Sequence, residues 1–122
     1  MQRYDIIVSP GALRDLEDFS DYISKHDDPA KAGHVIARIE AVIDRLATSP
    51  ERGSFLPELI SLGMKNYRQI FAKPYRVIYR VQAETVRVYL VADGRRNLPA
   101  LLSRRLLSQL PVHFFSISKS RG

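Results

Sequence analysis

The organisation of the chain turns on Lys73-Pro74-Tyr75-Arg76-Val77-Ile78-Tyr79-Arg80-Val81. From Tyr75 on, it is built of β-branched and aromatic residues interleaved with arginine, the composition of a half-buried strand. Lys73-Pro74 breaks that strand from an earlier apolar run, Tyr67 to Ala72, which reads as another strand. Downstream, Thr85 to Ala92 reads as a third strand. Strict alternation puts Val86, Val88, Leu90 and Ala92 on one face and Arg87 and Tyr89 on the other. One side of the sheet is then core and the other half wet. Asp93-Gly94 ends the run.

Before this block, Tyr4 to Val8 is a short β-rich run, a first strand. Ser9-Pro10 follows, a capping residue and a proline suited to the first helical position. Leu13, Leu16, Phe19 and Ile23 then recur at helical spacing. Asp28-Pro29 repeats the start signal for a second helix carrying Ala32, Val35, Ile36, Ile39, Val42, Ile43 and Leu46 on one face. Together they form an antiparallel helical hairpin. Pro50, Gly53, Pro57 and Gly63 make residues 50–66 an irregular connection. Asn97-Leu98-Pro99 opens a last helix with Leu101, Leu102, Leu106 and Leu107. The order β-αα-βββ-α predicts an α+β fold, a helical hairpin packed on a small, mainly antiparallel, twisted sheet. Residues 1–110 form one domain in this reading, and residues 111–122, which lose the helical pattern, a flexible tail.

The 122 residues contain no cysteine, which removes disulfides, thiolate metal sites and cysteine nucleophiles. No stretch approaches the length and apolarity of a membrane span, and the first apolar segment is too short for a secretory signal. A soluble cytoplasmic protein is expected. His26, His34 and His113 stand apart from one another, so no metal site is expected, and no phosphate-binding loop points to a cofactor. Asp15, Asp18 and Asp21 read as the solvated side of the first helix.

The net charge of +6 is unevenly placed: residues 1–61 carry 7 Lys+Arg against 11 Asp+Glu, and residues 62–122 carry 12 against 2. A basic half of this kind suits an anionic partner. Its arginines interleave with aromatics: Arg68, Lys73, Arg76, Arg80, Arg87, Tyr89, Arg95, Arg96, Arg104 and Arg105. Arginine forks grip phosphate or carboxylate, and rings stack on bases or guanidinium planes. Arg76 and Arg80 share a strand face with Ile78 between them. Arg95 and Arg96 lie between a strand end and a helix start, where backbone N–H groups add to an anion site. Arg104-Arg105 read as a solvated helix face or a partner contact. The competing reading is structural, with the arginines edging the sheet and pairing with the acidic hairpin.

The ordered set Val8-Ser9-Pro10, Ala12, Leu16, Leu46, Pro50, Gly53, Pro57-Glu58-Leu59, Gly63, Lys73 through Val81 and Asp93-Gly94-Arg95-Arg96 resembles the RelE/ParE superfamily of type II toxin–antitoxin toxins. The resemblance covers about Tyr4 to Leu107. It implies a growth-inhibiting toxin, of the kind tied to plasmid stabilisation, held by a cognate acidic antitoxin. It also implies one of two activities. RelE-like members cut messenger RNA on the ribosome as endoribonucleases (mRNA interferases). ParE-like members poison DNA gyrase and are not nucleases. An RNase needs a base, an acid and cations for the crowded phosphate. On the RelE pattern Arg68, Lys73, Arg76 and Arg96 would be catalytic, Arg68 and Lys73 only approximately replacing the family's lysines. Leu101-Leu102 stand where that pattern places a tyrosine. With the RNase set incomplete, a ParE-like gyrase poison is favoured. In that case Arg76, Arg80, Arg87, Tyr89, Arg95, Arg96, Arg104 and Arg105 face antitoxin or target. A remnant that only binds antitoxins is the third reading.

Overall fold

A computed structural model of the chain describes residues 2–108. The elements run β1 (Asp5–Val8), α1 (Pro10–His26), α2 (Pro29–Asp44), a 3-10 turn (Arg45–Ala47), β2 (Ser54–Phe55), α3 (Pro57–Ile60), β3 (Tyr67–Ala72), β4 (Tyr75–Gln82), β5 (Thr85–Asp93) and α4 (Leu98–Ser108). The α+β order β-αα-βββ-α is as read from the sequence. The one addition lies in the 50–66 connection, which holds the two-residue β2 and the single helical turn α3. The expected tail, residues 111–122, falls outside the described residues. Among the described residues, no helix is long and apolar enough to cross a membrane.

The helix starts follow from their caps. Ser9 Oγ accepts from Ala12 N–H at 3.1 Å, Asp28 Oδ1 from Ala30 N–H at 3.1 Å and Asn97 Oδ1 from Ala100 N–H at 3.2 Å. Pro10 and Pro29 occupy the first turns of α1 and α2, where a missing N–H costs nothing.

The strands form one sheet in the order β1-β5-β4-β3-β2. Only the β1–β5 pair is parallel. On the inner face α1 and α2 pack over Ala72, Val77, Tyr79, Val86, Val88 and Val91. On the outer face α3 and α4 cover Tyr67, Ile78, Tyr89, Leu90 and Ala92 with Leu56, Leu59, Leu98 and Leu102. Neither face of β5 is wet along its second half.

This corrects the strict alternation expected for β5. The ladder pairs Ile78 with Leu90 and Tyr79 with Val88, leaving Tyr89 as an extra residue, a β-bulge. Val86 and Val88 therefore belong to the inner core, while Leu90 and Ala92 turn to the outer one. A bulge shifts side-chain parity by one, which period-2 reasoning cannot anticipate.

The segment after α2 is held as a strap across β3. Buried Tyr79 donates its hydroxyl to the Pro50 carbonyl at 2.7 Å and accepts from Gly53 N–H at 2.9 Å. A Cβ on Gly53 would lie 2.5 Å from that hydroxyl and 2.6 Å from the Gln69 carbonyl, so only glycine fits.

Candidate functional site

The outer face of the sheet presents the basic and aromatic residues. Arg76, Ile78 and Arg80 alternate outward along β4, and the register sets Tyr67 and Arg87 on either side of Arg80. The Arg80 guanidinium lies 5.8 Å from the Tyr67 ring centre, and Arg76 lies 5.3 Å from that of Phe71. Tyr67 meets Tyr89 edge to face at 5.5 Å. Tyr89 shares the outward parity of Arg87, and the bulge after it adds Leu90 to the same face. Gln69, on the same side of β3, is buried. Its Oε1 and the Nε atoms of Arg76 and Arg80 are buried without hydrogen-bond partners among the described residues. Such groups are costly to leave unpaired.

Burial pushes the Tyr67 hydroxyl above its ordinary pKa, with Tyr89 adding to the rise and Arg80 opposing it. Tyr67 is thus a neutral donor at physiological pH. Arginine keeps its proton. The outward strand residues around them, Gln69, Phe71, Ile78 and Arg87, include no carboxylate or imidazole. These cations can bind and polarise anions, and none of the outward strand residues named here takes a proton at neutral pH.

The four residues that the RNase pattern would use are not brought together. Arg68 points to the inner side of β3, donating to the Gly53 carbonyl at 2.8 Å and stacking on Phe55 at 4.1 Å. It fastens the strap. Lys73 is exposed in the β3–β4 turn, with its carbonyl bonded by Arg38. Arg76 is on the outer face, and its side chain lies beside Gly94. Arg96, exposed, lines a cleft with Asp15, Asp18, Phe19, Leu101 and Arg105. Leu102 is wholly buried and Leu101 partly, both against the outer core.

The remaining arginines divide between free and engaged. Arg104 is exposed on α4. Arg95 is exposed but pairs with Asp93 at 3.1 Å, which pulls the Asp93 carboxyl below its usual range. Arg105 is not the solvated residue expected from sequence, nor is Asp15. β1 stops at Val8, which leaves the second half of β5 without a neighbour on that side. Asp15 fills the gap, accepting from Val91 N–H at 2.9 Å. Arg105 closes it by donating to Asp15 at 2.8 and 2.9 Å and to the Tyr89 carbonyl at 2.8 Å. The hydrogen bonds it donates to Asp15 hold the guanidinium pKa above its usual value. A readable signal existed: Asp15 sits inside the apolar stripe Ala12, Leu16, Phe19, not opposite it. Among the described residues no three His, Asp or Glu side chains gather where a metal ion could sit.

A sheet with a helical hairpin on one face and a single C-terminal helix on the other is the fold of the RelE/ParE superfamily of small toxins. The structure is similar to the chromosomal ParDE system of P. aeruginosa (TM-score 0.61, 15% identity, 75% of this chain and 96% of that one). It is also similar to E. coli RelE in the free state (TM-score 0.57, 16% identity, 90% and 100%) and to the RelBE2 complex of Mycobacterium tuberculosis (0.54, 20%, 75% and 98%). Within that superfamily the chain belongs to the ParE toxins of type II toxin–antitoxin systems, whose family model matches residues 6–98. The protein Y4kP of Sinorhizobium fredii is 34% identical over 104 residues, 84% of this chain and all of its own length. Toxin ParE3 of Caulobacter vibrioides is 35% identical over 68 residues, 56% of this chain, and the match spans 64% of that toxin.

Proposed function

We propose that the protein is the toxin of a type II pair, that it inhibits growth by poisoning DNA gyrase without cleaving nucleic acid itself, and that a cognate acidic antitoxin neutralises it. One observation carries this reading. The outer face sets Arg76, Arg80 and Arg87 around a protonated Tyr67 with no proton acceptor among the outward strand residues, which suits binding and not general-base chemistry. The separation of Arg68 and Lys73 from Arg76 argues the same way. Antitoxin recognition would rest on the free cations of this face and of α4, meeting carboxylates of the partner. Reversing charge at Arg80 and Arg104 should weaken the antitoxin complex in calorimetry.

The test is a gyrase supercoiling reaction on relaxed plasmid with the purified, antitoxin-free chain. Inhibition with linear DNA trapped on the enzyme is expected. No effect from a folded sample that is toxic in cells would overturn the reading. Cleavage of message in a translating extract would then assign the RelE-type activity.

A further inference from the structure

β1 lies at one end of the sheet, with β5 on one side and no strand among the described residues on the other. Asp5 and Ser9 turn their N–H groups to β5, donating to the Glu84 carbonyl at 2.9 Å and to the Val88 carbonyl at 3.0 Å. Alternation then turns the N–H and C=O groups of Ile6 and Val8 outward. Among the described residues no main-chain hydrogen bond from a turn, loop or cap reaches these four groups. The edge is closed one step earlier, where Tyr4 N–H donates to the Ala47 carbonyl at 2.7 Å. Beside the open stretch, on the hairpin side, is a groove of 420 Å³ floored by Ile6, Val8, Leu13 and Ile43 and lined also by the carboxylates of Glu40 and Asp44. Leu13 is 49% exposed there. Glu40 and Asp44 are exposed and in no ion pair among the described residues. Such an edge fits an extended segment with apolar residues two apart, followed by cations.

The chain carries a segment of that kind. α4 ends at Ser108, which lines a cleft together with Ser9, Pro10 and Gly11, at the C-terminal end of β1. The sequence beyond it, outside the described residues, sets Phe115, Ile117 and Lys119 two apart, with Arg121 next in the series and no Asp or Glu from 109 to 122. We propose that residues 115–119 dock on β1 as an added antiparallel strand, Phe115 against Val8 and Ile117 against Ile6. Each of these pairs exchanges two main-chain hydrogen bonds, so all four open groups of β1 are satisfied. Paired residues share a sheet face, which sends Phe115 and Ile117 into the groove. The antiparallel direction leads Lys119 and Arg121 toward the end of α2, where Glu40 and Asp44 stand. The stretch from Ser108 to Phe115 reaches about 23 Å when extended, and it starts across a single cleft from Ser9. A second copy of the chain would offer the same acid-lined edge and no complementary charge. This docking is independent of the gyrase reading, since its test uses neither DNA nor enzyme.

The test is amide hydrogen exchange, resolved by NMR, on the full antitoxin-free chain at low and high protein concentration. Slow exchange at Ile6 and Val8, independent of concentration, is expected. Phe115→Asp with Ile117→Asp should speed exchange at both amides about tenfold or more and leave the β4 amides and the circular dichroism unchanged. The chain has no cysteine, which allows a second readout. Ile7 and Ser116 would face each other in this register, so Ile7→Cys with Ser116→Cys should oxidise to a disulfide within one monomer. Ile7→Cys with Ser120→Cys should not. The proposal is overturned by equal exchange at Ile6 and Val8 in parent and variant, or by equal disulfide formation from the two cysteine pairs. Protection that appears only at high concentration would overturn it in favour of a second copy.

Discussion

Replacing Asp15 by alanine removes the acceptor for two Arg105 donors and for Val91 N–H at once. The side chains are 15% and 20% exposed, so water reaches the pair only partly. Deleting one partner of a fully buried pair costs about 3–5 kcal/mol. With this residual exposure, and an orphaned edge N–H added, Asp15→Ala should cost about 2–3 kcal/mol. Arg105→Ala should cost less, about 1–2 kcal/mol, because Asp15 keeps the Val91 donor and the Tyr89 carbonyl can turn to water. The double variant should be little worse than Asp15→Ala alone, which sets the coupling at about 1 kcal/mol or more. Urea unfolding followed by circular dichroism measures all three, and the melting temperature of Asp15→Ala should fall by roughly 10 °C. Asp18→Ala, exposed on the same helix, is the control and should stay within about 0.5 kcal/mol of the parent. An Asp15→Ala loss no larger than this control, or strictly additive single costs, would refute the reasoning.

Gly53→Ala should destabilise by about 2 kcal/mol or more, since its Cβ would meet the Tyr79 hydroxyl and the Gln69 carbonyl; denaturant unfolding reads the loss. Ala83 holds a φ of 53° in the β4–β5 turn, so Ala83→Gly should stabilise by about 0.5–1 kcal/mol in the same assay. Tyr79→Phe should cost about 2 kcal/mol at neutral pH by unpairing the Pro50 carbonyl and Gly53 N–H. Burial also raises the Tyr79 pKa above its ordinary 10.0. A raised folded value gives stability that is intact below pH 10 and is lost as pH climbs through it. The stability of Tyr79→Phe should therefore decline less steeply in that alkaline range, with Tyr67 and Tyr75, raised by burial too, causing what remains.

Element order was legible because each start carries its own chemistry. Ser9-Pro10, Asp28-Pro29 and Asn97 announce helices through local bonds that need no tertiary contact. Strands β3 and β4 were legible because two apolar, aromatic-rich runs flank an evident break at Lys73-Pro74. What escaped depends on distant partners. The Tyr89 bulge divides β5 between two helical layers, and no residue near it signals an extra position. Arg105 read as solvent-facing because its partner, Asp15, is 90 positions away in sequence. For the site, the outward row Arg76 and Arg80 was visible from spacing alone. Its neighbours Tyr67 and Gln69 needed the register. The inward turn of Arg68 needed the strap, which is built from a segment whose Pro and Gly content marks only irregularity.

The extra residue at Tyr89 also governs what β5 can tolerate in length. Its first half answers to the hairpin layer and its second half to the layer of α4, and the two are joined at one position of reversed parity. Deleting Tyr89 would restore regular alternation: Leu90 would follow Val88 directly, still opposite Ile78, and Leu90, Val91 and Ala92 would keep their faces. Deleting a residue beyond the bulge, with the bulge kept, would instead exchange everything after it between the two interiors. One-residue shortening should therefore be tolerated at the bulge, while elsewhere along this strand length should vary in even steps.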